Sequence, residues 1–149
     1  MTWLQKAASE MFTLGPYLFD IDKATQLVSG KTPIQFSPEE TKKVGSLRGL
    51  AYIDPEAAMI SERNDPVILA TICFEPKKMN SILIDGYHRV HKAIQLGQGI
   101  QGYLLSFDET LQLMDRDRQH MMMSQYVQAP EWATRDMVLK LYKKQKSRL

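Results

Sequence analysis

Five consecutive residues, Asp85-Gly86-Tyr87-His88-Arg89, place a carboxylate, a phenol, an imidazole and a guanidinium around one glycine. Such a set can grip an anion. Arg89 offers a planar fork of donors to phosphate oxygens. His88 can donate a hydrogen bond or shuttle a proton. Gly86 lets the backbone turn sharply and approach a ligand closely. Asp85 can steady His88 or Arg89, or help bind a metal ion, and Tyr87 can stack on a base or simply pack. The plainer reading is a turn at a helix start, with His88 and Arg89 on its solvated side.

The elements around these residues have to aim them. Ser81 to Ile84 is apolar and reads as a strand, and a helix is predicted from about Tyr87 to Leu96, with Val90, Ala93 and Ile94 turned inward and Gly97 as its cap. A strand that passes through glycine into a helix points the first helical N–H groups at whatever lies ahead. Those groups lack internal partners and the helix dipole favours negative charge there, so a phosphate satisfies both. Upstream, Val67 to Phe74 is β-rich and mostly apolar, while residues 75–80 are polar and turn-like. Residues 66–84 therefore predict a β-hairpin with largely buried strands, and Ile100 to Ser106 predicts a further strand.

The remaining elements are read from caps and punctuation. Residues 3–14 predict a short helix ended by Gly15-Pro16, then a strand from Tyr17 to Ile21, then a helix capped by Asp22 and stopped by Gly30. Ser37-Pro38-Glu39-Glu40 is a capping box, and Gly45 and Gly49 keep its helix short. Asp54-Pro55-Glu56 starts another helix. Asp108-Glu109 opens a helix carrying Leu111, Met114, Met121 and Met122, and Pro130 starts the last one, with Trp132, Val138, Leu141 and Tyr142. The expected fold class is α+β, a small mixed sheet with surrounding helices. The whole chain of 149 residues reads as one domain, with a core over residues 17–107 and a helical extension over 108–149.

Composition narrows the classes. Hydrophobic residues make up 44% and charged residues 24%, as in ordinary globular proteins. The single cysteine, Cys73, excludes a disulfide framework and sits in an apolar run, where a buried structural thiol is expected. The sequence shows no long apolar run to span a membrane and no signal-peptide pattern, so no membrane partner is expected and the cytoplasm is the default. Net charge is +2, but Arg135 to Leu149 holds six basic residues against Asp136. Lys140, Lys143, Lys144 and Lys146 are candidates to contact nucleic-acid phosphates, with a solubilising end as the plainer reading. Asp115-Arg116-Asp117-Arg118 reads as an exposed helix face with local ion pairs, and Met121-Met122-Met123 as core packing with one exposed methionine. His88 and His91 share a helix face, but Asp85 is the only obvious further ligand, so no metal site is assigned.

The stretch Ile84 to Gly97, Ile-Asp-Gly-Tyr-His-Arg-Val-His-Lys-Ala-Ile-Gln-Leu-Gly, resembles the signature of the ParB/sulfiredoxin superfamily. That pattern is an apolar strand, Gly-X-X-Arg, then a helix with an alanine and a closing Leu-Gly. Asp54-Pro55, Asp65-Pro66-Val67-Ile68 and the strand from Ile100 extend the likeness over roughly residues 54–107. The resemblance implies a nucleotide or nucleic-acid phosphate site at Gly86, Tyr87, His88 and Arg89, for CTP or ATP with Mg²⁺, in a protein of DNA-related processes, plasmid- or phage-encoded. In such proteins a charged residue upstream of the hairpin can reach the phosphate site, which makes Glu62 and Arg63 candidates. Tyr87 stands where sulfiredoxin has its reactive cysteine, so that chemistry is not expected. The chain beyond residue 107 is too short for the DNA-binding and dimerisation domains of a partition protein, so a standalone ParB-like domain is expected. If an enzyme, it would be an NTPase or a metal-dependent DNase with Asp85, His88 and Glu62 as catalytic groups. A non-enzymatic module using the Met- and Lys-rich helices to bind a protein partner is the third reading.

Overall fold

A computed structural model describes residues 10–47 and 53–146. The chain forms β1 (Met11–Leu14), β2 (Tyr17–Asp20), α1 (Ile21–Val28), β3 (Ile34–Phe36), α2 (Pro38–Ser46), α3 (Pro55–Ile60), β4 (Val67–Glu75), β5 (Lys78–Asp85), α4 (Tyr87–Gln95), β6 (Ile100–Leu104), α5 (Phe107–Leu111), α6 (Arg116–Val127) and α7 (Arg135–Lys146). The α+β class expected from the sequence holds, with one four-stranded mixed sheet and one separate hairpin.

The main sheet has strand order β3-β6-β4-β5. β4 pairs antiparallel with β5 and parallel with β6, so α4 crosses over β4 to lay β6 on its far side. β4 is buried on both faces, which is why it reads as a nearly continuous apolar run rather than an alternating one. One face, Val67, Leu69 and Leu83, packs under Val44 of α2 and Val90 of α4. The other, Ile68, Ala70, Ile72, Ile82 and Ile84, joins β1, β2, α1 and the C-terminal helices in the larger core. Beyond the end of β6, Thr71 N–H donates to Thr110 Oγ1 at 3.1 Å and Thr71 Oγ1 donates to the Leu105 carbonyl at 2.8 Å, which ties α5 to β4.

Local chemistry accounts for most boundaries. Ser37 and Glu40 form the expected capping box of α2, and Asp54 caps α3 by accepting from Glu56 and Ala57. Gly97, at φ 66°, ends α4 in the left-handed region that favours glycine.

Several expectations are corrected. Met11–Leu14 is a strand, paired with β2 around Gly15-Pro16, and residues 3–9 of the expected helix lie outside the described residues, as does Gly49. Asp20, not Asp22, caps α1. The β4–β5 turn is only Pro76-Lys77, since β5 already begins at Lys78. The helix expected from Asp108 is two helices, α5 capped by Ser106 and α6 capped by Asp115. Pro130 opens a turn, and the last helix starts after Thr134. Met122 and Met123 are buried and Met121 is exposed. Cys73 is fully buried, its thiol donating to the Glu75 carbonyl.

Candidate functional site

Just ahead of Gly86 the β4–β5 register slips: Leu69 faces Leu83, but Ile68 faces Asp85, so β5 carries one extra residue. A bulge of this kind bends and re-aims the strand end. Gly86 follows at φ 105°, and a Cβ there would sit 2.4 Å from Val67 Cγ1. Both geometry and space therefore require glycine. Gly86 also has no side chain to cap α4, so the first amides of the helix find no partner from that position. The turn lines a pocket of about 300 Å³ together with Glu10, Ala57, Ser61 and Arg63.

The side chains expected to grip the ligand are largely engaged inside the protein. Arg89 is 5% exposed. Its Nη1 donates to the carbonyls of Asp65 at 2.6 Å and Pro66 at 3.0 Å and contacts Asp65 Oδ2 at 2.9 Å, while Nη2 donates to Asp85 Oδ2 at 3.0 Å. Asp85 thus holds Arg89, one of the two partners expected for it. His88 Nε2 accepts from the Asp54 backbone N–H at 3.1 Å, which assigns its ring proton to Nδ1. Lys92 Nζ donates to the Ser61 carbonyl. Three residues of α4 therefore hold the segment 54–66 along its side. Tyr87 packs its ring 5.9 Å from Phe12, and burial, with Asp85 and Glu10 adding to it, pushes its phenol up to about 12.

Arg63 is the cation left toward solvent. It lines the pocket at the head of α4 and a second pocket of about 240 Å³ between α4 and β6. Its Nε and Nη2 donate to the two carboxylate oxygens of Asp65 at 3.3 and 2.8 Å. That hydrogen bond to Arg63, helped by the Arg89 charge and opposed by partial burial, holds the Asp65 carboxyl below its usual range.

The other sequence candidates fall elsewhere. Glu62 is exposed and does not line the pocket at the head of α4. His91 lines a different, apolar pocket with Gly45 and Ile94. Among the described residues no three His, Cys, Asp or Glu side chains gather as metal ligands. Lys140 and Lys143 are exposed on α7, Lys146 pairs with Asp108, and α7 contributes nothing to the α4 pocket. In the run 115–118, Asp115 caps α6, and Arg118 bonds both Asp115 and the Pro16 carbonyl. Ser61, Glu10 and Lys92 were not marked by the sequence. They reach the site across 31 residues or by the fold of a separate hairpin, and no local pattern signals that. Among the described residues, no helix is long and apolar enough to cross a membrane. No protein-family model, characterised protein or solved structure matches this chain.

Proposed function

We propose that the pocket at the head of α4 binds the phosphate end of a nucleotide. The observation that carries this is the uncapped start of α4 on Gly86, lining a pocket with Arg63 at its wall. Amides without partners, the positive end of the helix dipole and an adjacent guanidinium together favour a phosphate. The resemblance of Ile84 to Gly97 to the ParB/sulfiredoxin signature supports a nucleoside triphosphate such as CTP or ATP, and a role linked to DNA. Of the two carboxylates that line the pocket, Asp85 is bonded to Arg89, so Glu10 is the one that would reach a Mg²⁺ carried on a triphosphate.

The arrangement favours binding over nuclease chemistry. Asp85 is committed to Arg89 and Glu62 stands away from the pocket, so neither is placed as a general base. Thermal shift with inorganic phosphate, CTP, ATP and GTP, with and without Mg²⁺, tests the proposal. The midpoint is expected to rise with at least one nucleotide and to rise less in Arg63→Ala. No shift with any of them sinks it.

A further inference from the structure

Given the phosphate site proposed above, we infer that Asp65 is a resident anion on Arg63 of that site, which makes it selective for terminal phosphates over phosphodiesters. The side-chain cluster Arg63–Asp65–Arg89 carries this. Arg63 presents its fork to both oxygens of Asp65, the same bidentate geometry a phosphate takes. The carboxylate's Oδ2 also lies 2.9 Å from Arg89 Nη1. One anion is therefore already seated between two guanidiniums that line both pockets, with Asp65 itself on the side of the pocket between α4 and β6.

The two cations are not equivalent. Arg89 is 5% exposed and keeps the Asp65 and Pro66 carbonyls and Asp85 whatever the Asp65 carboxylate does. Arg63 is 63% exposed and Asp65 55%, so this pair can open toward water. An incoming anion can take the Nε–Nη2 edge of Arg63 only by displacing Asp65. A phosphodiester carries one negative charge, as in a nucleic-acid backbone, and gains nothing electrostatically from the exchange. A terminal phosphate carries about −1.5 to −2 near neutral pH and does gain. Arg63 is then the cation that contacts the ligand, and Arg89 is a positioning residue that fixes the segment bearing it.

Calorimetric titration of the full chain with inorganic pyrophosphate, and with a dinucleoside monophosphate whose only phosphate is a diester, tests this. Wild type is expected to bind pyrophosphate and to show little binding of the diester. In Asp65→Asn the diester should gain about fivefold in affinity, the scale of one exposed ion pair. Adding Arg63→Ala should remove that gain. Asp65→Ser, with circular dichroism on both variants, guards against a folding defect, because the Arg89 bonds to the backbone carbonyls survive either change. Equal binding of the two probes by wild type, or no gain in folded Asp65→Asn and Asp65→Ser, overturns the role of Asp65 while leaving the phosphate site standing. Failure of every variant to bind pyrophosphate overturns both.

Discussion

At Gly86 two independent constraints coincide. Its φ of 105° lies where L side chains are strained, and the space a Cβ would need is filled by Val67, with Cγ1 at 2.4 Å and Cβ at 2.8 Å. Strain at such a position costs on the order of 1–3 kcal/mol, and overpacking adds to it. Gly86→Ala is therefore expected to lower stability by about 2–4 kcal/mol in urea melts. Val67→Ala in the same chain should return only a small part of the loss, since it removes Cγ1 but leaves the Val67 Cβ contact at 2.8 Å and the strain. A cost below a few tenths of a kcal/mol would mean the turn is not built as described. The requirement for glycine here was legible from the sequence, because a sharp strand-to-helix turn favours a residue without a side chain. The role of Arg89 was not. Its type and position suit an outward fork, but its carbonyl partners come from residues 24 and 23 positions earlier, and only the fold brings them together.

At the level of elements, α4 acts as a rack as well as a floor for the pocket. His88, Arg89 and Lys92 tie down segment 54–66, while Val90 and Ile94 face α2, where a Cβ at Gly45 would lie 2.7 Å from Ile94 Cδ1. Gly45 is thus also a close-packing residue, in the last turn of α2. Arg89→Ala would leave the part-buried Asp85 and two carbonyls without their donor. Breaking a buried pair costs about 3–5 kcal/mol, discounted here because Asp65 is exposed. A loss of about 3 kcal/mol is expected in denaturant unfolding, larger than for Arg63→Ala, which stays within about 0.5 kcal/mol. A module that only binds a protein partner would be expected to keep its function in Arg89→Ala. With Arg89 carrying this structural load, that variant cannot separate the readings, and Arg63 is the residue to change. The unit from β4 to β6 was readable because its strands are apolar runs broken by turn residues and its helix is bounded by Gly86 and Gly97. Met11–Leu14 was misread because its apolar residues fit a helix face or a strand equally, and pairing with β2 decides between them.

Across the whole molecule, the C-terminal helices share one core with the first hairpin. Phe107, Tyr126 and Tyr142 pack mutually, one pair tilted and the two pairs with Tyr142 edge-on, with centroids 5.7–5.9 Å apart, and Val138 of α7 is fully buried in the same cluster as Phe19 and Ile72. α7 is latched from outside by Asp108, which accepts from the Tyr142 hydroxyl and from Lys146 Nζ. The latch titrates from both ends. Burial alone would raise the Asp108 carboxyl, but the bonds from Lys146 and Tyr142 outweigh it and hold it low. Its stabilising effect is therefore present above the unfolded carboxyl range and is lost as pH falls below about 4. Burial, then the bond to Asp108, pushes the Tyr142 phenol up, so its contribution is full below about pH 10 and is lost as pH rises beyond that. Tyr142→Phe keeps the ring contacts and removes only the hydroxyl. Its cost at neutral pH should be about 1–2 kcal/mol, as for a hydrogen bond to a charged group. The stability difference between wild type and Tyr142→Phe should shrink at both pH extremes, measured by urea melts from pH 3 to 11. A difference that stays constant with pH would place the stabilisation in ring packing and not in the Asp108 latch.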